Sequence, residues 1–219
     1  EVRPLVEAIN GLFGRVGQAM EAERRFTADA AHELRTPLTR LRLGVEFLKE
    51  KADPARRAEL ESDIAELNHL IDDVLLSSRL DALERLDAVE DIDLLALAAE
   101  EAARYEHAIV AGTPVTIKGD ARLLRRLLKN LLDNAERHGK PPIDVMVQAQ
   151  DGRANLTVTD HGAGVSEADR EKIFEPFFRS GSTPGTGLGL ALVRQIARRH
   201  GGEVTANGTT FAVSLPQPV

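Results

Sequence analysis

Residues 1 to about 86 carry apolar side chains at a regular spacing of three and four positions, and this pattern restricts the fold more than any other feature. The first run comprises Leu5, Ile9, Leu12, Val16, Ala19, Phe26, Ala30, Leu34, Leu38, Leu41, Val45 and Leu48, and the second comprises Leu60, Ile64, Leu67, Ile71 and Val74. Between the runs, Asp53 and Pro54 supply an N-cap and a first-turn proline. The spacing therefore predicts two long amphipathic helices joined as a hairpin.

A single helical hairpin leaves much of each apolar stripe exposed to water. Two hairpins that pair into a four-helix bundle bury both stripes, which is the economical arrangement for such sequences. We therefore expect the first part of the chain to form a homodimer.

From about residue 90 the sequence changes to mixed helix and strand signals with glycine-rich turns. Helices are predicted at 94–107, 121–139, 171–178 and 187–202, and strands at 108–110 and 115–117 with a turn between them. Two hairpins are predicted, 143–160 around Asp151-Gly152 and 203–215 around Asn207-Gly208. A mixed sheet covered by helices on one face is an α/β sandwich, so the whole chain is expected to be α+β, with a linker near 81–90.

The composition argues against several classes of function. The formal net charge is −7 over 219 residues and the basic residues are dispersed, so nucleic acid is not an expected partner. The chain has no cysteine, which excludes disulfides, thiolate metal sites and cysteine nucleophiles. No apolar run approaches the ~18 residues that a membrane-spanning helix needs, so the chain itself is expected to be soluble.

His32 lies halfway between the stripe residues Ala30 and Leu34, so its imidazole is expected to face solvent. Glu33 can reach the ring, and a carboxylate that accepts one ring N–H raises the basicity of the other nitrogen. Thr36 lies one turn away on the same face, directly before the helix-kinking Pro37. The group fits a nucleophilic imidazole, although an isolated surface histidine is more often solvated and idle.

A first polar cluster lies on the predicted helix 121–139. Asn130 and Asn134 are one turn apart, and Arg137 and His138 follow one turn later. Two amides that face the same way can hold a hydrated Mg²⁺ ion and phosphate oxygens. Amides on a helix also serve as ordinary surface groups, so this pair alone is weak support for a binding site.

Two glycine-rich segments form the other clusters. Asp160 leaves the end of a predicted strand and begins Asp-His-Gly-Ala-Gly, where its carboxylate could accept a hydrogen bond from an exocyclic amine such as that of adenine. A tight turn without a ligand would have a similar sequence. The second segment, Gly-Thr-Gly-Leu-Gly at 185–189, runs into a helix, where free N–H groups attract phosphate. It is not a Walker A sequence, because no Gly-Lys-Ser/Thr follows.

Five motifs in this order resemble the cytoplasmic catalytic core of two-component sensor histidine kinases. HELRTPL at 32–38 is similar to the phosphoacceptor motif, NLLDNAERHG at 130–139 to the N box, DHGAG at 160–164 to the G1 box, IFEPFFR at 173–179 to the F box and GTGLGLALV at 185–193 to the G2 box. The resemblance covers roughly residues 20 to 215. It implies a dimeric four-helix bundle followed by an ATP-binding domain of the GHKL (Bergerat) type.

The resemblance also implies a role for each motif residue. His32 would attack the γ-phosphate of ATP with Glu33 as general base, and Thr36 would orient the water that hydrolyses the phosphorylated partner. Asn134 would coordinate Mg²⁺ and Asp160 would bind adenine. The remaining nucleotide-binding positions would be Asn130, Arg137, His138, Gly162, Gly164, Thr186, Gly187, Leu188 and Gly189.

Three domains follow from the resemblance: the end of a HAMP signalling segment at 1–22, a dimerisation and phosphotransfer domain at 23–86 and a catalytic domain at 90–219. A response regulator is the implied partner. The implied parent is a receptor at the cytoplasmic face of a bacterial inner membrane. A clamp-type ATPase of the same nucleotide fold and a non-catalytic docking module are the alternatives; the first lacks a HELRTP hairpin, and the second predicts damaged motifs.

Overall fold

A computed structural model of the chain describes residues 58, 71–78, 80, 86, 88–179 and 187–218. The chain divides into two compact units, Glu1–Leu83 and Glu84–Val219. In the first unit, residues 71–78 are helical, within the second predicted helix. Residues 58 and 80 are also helical. The other residues of the predicted helical hairpin, including His32, Glu33 and Thr36, lie outside the described residues, as does Thr186 in the second unit.

The second unit contains seven strands, three α-helices and one 3₁₀ turn among its described residues. Their order is β1 (Glu90–Asp93), α1 (Leu94–Ala102), β2 (Ala108–Gly112), β3 (Thr116–Gly119), α2 (Ala121–His138), β4 (Ile143–Gln150), β5 (Arg153–Thr159), the 3₁₀ turn (Lys172–Phe174), α3 (Gly189–Arg199), β6 (Glu203–Asn207) and β7 (Thr210–Pro216).

The main sheet has the strand order β2-β4-β5-β7-β6, with β2 parallel to β4 and every other pair antiparallel. Buried and less buried residues alternate along β4, β5 and β7, so one face of the sheet lies in the core. The helices cover that face, chiefly through the leucines of α2 at 124, 127, 128, 131 and 132. The predicted α/β sandwich and the hairpin 143–160 are confirmed.

The predicted strands near 108–110 and 115–117 exist, but they belong to different sheets. The strand β2 pairs with β4, whereas β3 pairs antiparallel with β1 in a separate two-stranded sheet. The cause lies at the end of β2, where Thr113 N–H donates to Val147 O at 2.9 Å. The chain therefore stays on β4 through residue 113 instead of turning back on itself. The sequence-based prediction also missed β1, which begins at the last residue of the expected linker and runs to the start of α1.

Three helix predictions differ from the structure. The helix expected at 187–202 is shorter and runs from Gly189 to Arg199. The helix expected at 94–107 ends at Ala102, because Arg104 and Tyr105 N–H bond to carbonyls only three residues back and tighten the last turn. The prediction of a helix at 171–178 is wrong, because this segment contains only the 3₁₀ turn. Pro176 disfavours helical backbone at Glu175, which is extended with ψ of 140°.

The second predicted hairpin is confirmed, but its turn lies one residue later than expected. Asn207 pairs with Thr210, so the two-residue loop is Gly208-Thr209 rather than Asn207-Gly208. Only Gly208 has a positive φ in this loop, as the first central position of a type II′ turn requires.

Candidate functional site

Helix α2 supports the first polar cluster. It begins at Asp120, whose Oδ1 accepts hydrogen bonds from the N–H groups of Arg122 and Leu123. Its leucines are directed into the core and leave Asn130 and Asn134 half-buried at the edge of the packed face. The amide of Asn130 donates to Gly189 O at 3.2 Å, so the middle of α2 meets the first residue of α3.

At the start of α3, no side chain of a described residue caps the first backbone N–H groups of the helix. Leu188 is the N-cap residue and is buried, and its side chain has no group that could bond the first N–H groups of the helix. Those N–H groups, together with the helix dipole, favour an anion at this end. Two of the predicted nucleotide-binding clusters, the amides of α2 and the glycines at 187–189, are therefore in contact through Asn130 and Gly189.

A backbone hydrogen bond joins Phe177 to Gly187. The N–H of Phe177 donates to Gly187 O at 2.9 Å, and both residues have a positive φ, 64° and 70°. Phe177 is also 64% exposed, and a positive φ is rare for a residue with so bulky a side chain. Residues 177 and 187 thus lie together two residues before the start of α3.

Asp160 lies against the other end of α2. Its side chain is 5% exposed, and its Oδ1 accepts a hydrogen bond of 2.7 Å from Gly162 N–H. No hydrogen bond joins its Oδ2 to a described residue. The approach to α2 depends on glycine, because a Cβ at Gly139 would overlap with the Asp160 side chain and one at Gly162 would lie 2.9 Å from Gly139 Cα. The carboxylate is therefore held on one oxygen and has the other available.

The loop from Asp160 to Val165, hereafter the G1 loop, is fixed by backbone hydrogen bonds on two sides. On one side, His161 N–H donates to Lys140 O at 3.0 Å. On the other, Asp160 N–H donates to Thr209 O at 3.2 Å and Val165 N–H donates to Gly208 O at 2.8 Å. Sequence reasoning missed the contributions of Gly139, Lys140 and the 208–209 turn, since these residues were interpreted only as a helix end and as turns.

The charges near the end of α2 are coupled. Burial raises the pKa of Asp133, but hydrogen bonds from Lys129 and Tyr105 outweigh it and hold that pKa below its usual range. Burial and the neighbouring Arg137 lower the pKa of His138, while Asp160 opposes this shift. The balance of these effects lowers the pKa of His138 and favours its neutral form. Arg137 is exposed beyond Asn134 and makes no hydrogen bond to a described residue.

Few side chains among the described residues of this domain could hold a magnesium ion. No group of three or more His, Asp or Glu side chains among the described residues could hold a metal ion. The amide of Asn134 makes no hydrogen bond to a described residue, so its oxygen can act as a ligand. Mg²⁺ keeps most of its water and binds through one or two protein groups plus phosphate oxygens, and a single amide beside a phosphate site fits that preference.

Among the described residues, no helix has both the length and the apolar character needed to cross a membrane.

Two family profiles match the chain in sequence order. Residues 22–83 match the His Kinase A (phospho-acceptor) domain, and residues 119–219 match the Histidine kinase-, DNA gyrase B-, and HSP90-like ATPase family. His32 falls in the first match. Asn130, Asn134, Asp160 and Gly189 fall in the second.

Known proteins match nearly the whole chain. The signal transduction histidine-protein kinase/phosphatase MprB of Mycobacterium avium (strain 104) is 35% identical over 99% of this chain and 47% of that protein. The sensor protein QseC of Escherichia coli (strain K12) is 39% identical over 92% of this chain and 48% of that protein. This chain spans about half the length of the curated relatives it matches.

Solved structures agree with these matches. Full-length ShkA in complex with AMPPNP superimposes with a TM-score of 0.70 at 29% identity, over 87% of this chain and 45% of that one. The mycobacterial sensor histidine kinase MprB superimposes with a TM-score of 0.53 at 32% identity, over 60% of this chain and all of that one. With a phosphoacceptor domain followed by this ATPase domain, the chain belongs to the sensor histidine kinases of two-component signalling systems.

Proposed function

We propose that this chain is the kinase core of its parent protein. It transfers the γ-phosphate of ATP to His32, passes the phosphate to an aspartate of a response regulator and removes it from the phosphorylated regulator. The observation that carries this proposal is the contact of Asn130 with Gly189, together with the approach of Asp160 to the end of α2, in a domain that follows a matched phosphoacceptor domain. Three polar clusters far apart in sequence are thereby brought to one helix.

These contacts support one orientation for the bound nucleotide. The available Oδ2 of Asp160 would accept a hydrogen bond from the adenine amine, with Gly162 and Gly164 allowing the base to approach the backbone. The phosphates would then lie toward the start of α3, near Gly187, Leu188, Gly189 and Asn130. Thr186 belongs to the same segment and is proposed as a further contact. Arg137 and His138, at the end of α2, would lie along the bound nucleotide.

Asn134 is the residue proposed to hold Mg²⁺. The ion would neutralise charge on the phosphate oxygens when it is bound. ShkA, a structural neighbour, was solved with AMPPNP, which supports a nucleotide in the corresponding domain of this chain. The chemical step itself would depend on His32 as nucleophile and on Glu33, which would take the proton from the ring nitrogen and fix the tautomer.

Thr36 is proposed to act in the phosphatase reaction, which removes the phosphate from the regulator. A hydroxyl one turn from His32 can orient a water molecule toward the phosphorus of the regulator's aspartyl phosphate. The name of MprB includes both kinase and phosphatase, which supports two activities for a chain 35% identical to it.

The proposal includes the partners and the place of action. The chain would act as a homodimer through its phosphoacceptor domain and would recognise the receiver domain of a response regulator, with no direct role for nucleic acid. It would act at the cytoplasmic face of the bacterial inner membrane within a longer receptor. The relatives are about twice as long as the stretch that they share with this chain.

Incubation of the whole chain with radiolabelled ATP and magnesium tests the kinase proposal. Phosphohistidine is labile in acid and stable in base, so the label should be lost in acid alone. The variant His32→Gln should bind ATP and remain unlabelled, whereas His107→Gln, at an exposed position before β2, should label like the wild type. Label that persists on His32→Gln would reject His32 as the acceptor. ATP hydrolysis without label on the wild type would favour a clamp-type ATPase.

A further inference from the structure

The Gly208-Thr209 turn between β6 and β7 holds the G1 loop at both of its ends. Thr209 O accepts the hydrogen bond from Asp160 N–H, and Gly208 O accepts the one from Val165 N–H. These are the first and last residues of the loop. One two-residue turn, about 45 residues downstream, therefore accepts hydrogen bonds from both ends of the G1 loop.

Two further contacts hold the turn close to the G1 loop. The hydroxyl groups of Thr159 and Thr210 are 3.0 Å apart and hydrogen-bonded, directly before Asp160 and directly after the turn. A Cβ at Gly164 would lie 2.7 Å from Gly208 C, so the loop and the turn are in backbone contact. Any change in the path of the turn would be transmitted to the G1 loop, since close-packed backbone has no room to absorb it.

We propose that Gly208 and Thr209 are positioning residues for adenine recognition: their carbonyl groups set the place of the Asp160 carboxylate relative to the end of α2. This role rests on the proposed contact of Asp160 with adenine. A hydrogen bond weakens steeply with distance and angle, so a small displacement of Asp160 would weaken the recognition of adenine while the chemistry at the phosphates is unchanged.

A substitution at Gly208 can change the path of the turn without adding a side-chain clash. Its φ is +59°, and a Cβ added there would meet no atom within 4 Å, so a substitution disturbs only the backbone conformation. Gly152, in the β4–β5 turn, is a matched control. Its φ is +72° and its Cβ would also meet nothing within 4 Å, but its turn makes no hydrogen bond to the G1 loop.

The experiment compares Gly208→Ala with Gly152→Ala in the full chain. Thermal unfolding should show a similar loss of stability in both, because each alanine is forced to a positive φ. ATP and ADP affinity, measured by calorimetry, should fall about fivefold in Gly208→Ala and stay at the wild-type value in Gly152→Ala. The rate of autophosphorylation at saturating ATP should be the same in both variants.

Base discrimination gives the sharper readout. Guanine has a carbonyl oxygen where adenine has its amine, so a well-placed carboxylate rejects GTP. The preference for ATP over GTP should decrease in Gly208→Ala and remain in Gly152→Ala. The variant Gly208→Asn should recover most of the affinity, since asparagine tolerates a positive φ better than alanine does.

Equal ATP affinity and equal base preference in Gly208→Ala and Gly152→Ala would overturn the positioning role. If Gly208→Ala does not fold, Thr210→Val, which removes the hydrogen bond between the Thr159 and Thr210 hydroxyl groups, is compared with Gly152→Ala, and equal ATP affinity and equal base preference there overturn the positioning role as well. A wild-type chain that binds no ATP would instead reject the proposed function, so the two failures are distinguishable.

Discussion

The two ends of helix α2 use their polar groups in opposite ways. At the N-terminal end, Asp120 caps the helix and its own N–H donates to His200 Nε2 at 3.1 Å, while His200 Nδ1 lies 2.8 Å from Ile196 O. At the C-terminal end, the amide of Asn134, the guanidinium of Arg137 and one oxygen of Asp160 make no hydrogen bond to a described residue. Both aspartates are buried. The difference distinguishes polar groups that stabilise the fold from polar groups that are available to a ligand.

This comparison explains why burial alone does not identify the site. A buried carboxylate costs free energy unless its oxygens are hydrogen-bonded, so full pairing is the expected condition for a structural group. Asp120 meets that condition through Arg122 and Leu123, and its pKa is held below its usual range by those bonds despite burial. Asp160 meets it on one oxygen only. The incomplete pairing, rather than the burial, marks Asp160 as a candidate for binding.

The largest expected effect is that of a substitution at Asn134, near the C-terminal end of α2. Asn134→Ala should lower the rate of autophosphorylation by about a hundredfold or more, because the proposed Mg²⁺ ligand would be lost from the transition state. Its thermal midpoint should change little, since the amide bonds no described residue. Asn155→Ala, at another half-buried asparagine on β5, is the control and should keep full activity. An Asn134→Ala enzyme with wild-type kinetics at every magnesium concentration would remove Asn134 from the site.

A smaller but more specific effect is expected at Asp160. Asp160→Ala should weaken ATP binding by about tenfold to a hundredfold, the range for a lost hydrogen bond to a charged group. The loss should be larger for ATP than for GTP. Asp144→Ala, which removes an exposed carboxylate 3.1 Å from His161 Nε2, is the nearby control and should bind ATP normally. Calorimetric affinities that do not differ between the two variants would show that Asp160 does not bind the base.

The sequence predicted elements well where the signal was local. The leucine spacing of α2 and the Asp151-Gly152 turn each specify their structure within a few residues, and both were predicted correctly. The partition of β2 and β3 into different sheets depends on pairing with β4 and β1, which no local pattern encodes. Pro176 was a local signal that the helix prediction for 171–178 overlooked.

The candidate site shows the same division between local and long-range information. Motif order identified which residues to consider, but it contained no information on which of them touch. The contact of Asn130 with Gly189 spans 59 residues, and the Gly208-Thr209 turn supports the G1 loop from about 45 residues downstream. The second contact follows from the strand order β5-β7-β6 and the first from the packing of two helices, and sequence spacing determines neither.

The smallest expected effect concerns the N-terminal end of α2 and is a dependence of the free energy of unfolding on pH. Burial lowers the pKa of His200 below the ordinary value of 6.5, although Ile196 O and Asp120 oppose the shift. As the pH falls below 6.5, the unfolded chain binds a proton at this position and the folded chain does not. The free energy of unfolding must therefore decrease with falling pH until the lower, folded-state pKa is reached. A protonated His200 could no longer accept the hydrogen bond from Asp120 N–H.

Urea unfolding between about pH 7.5 and about pH 5 measures this contribution. His200→Gln should give a less stable chain whose stability depends less on pH, and His107→Gln should keep the wild-type dependence. The dependence should be reduced rather than abolished, because the lowered pKa of His138 acts in the same direction. ATP affinity near pH 7 should be unchanged in His200→Gln, as expected for an end of α2 whose polar groups are already paired. A loss of ATP affinity comparable to that of Asp160→Ala would mean that the two ends of the helix are not independent, and the distinction between them would fail.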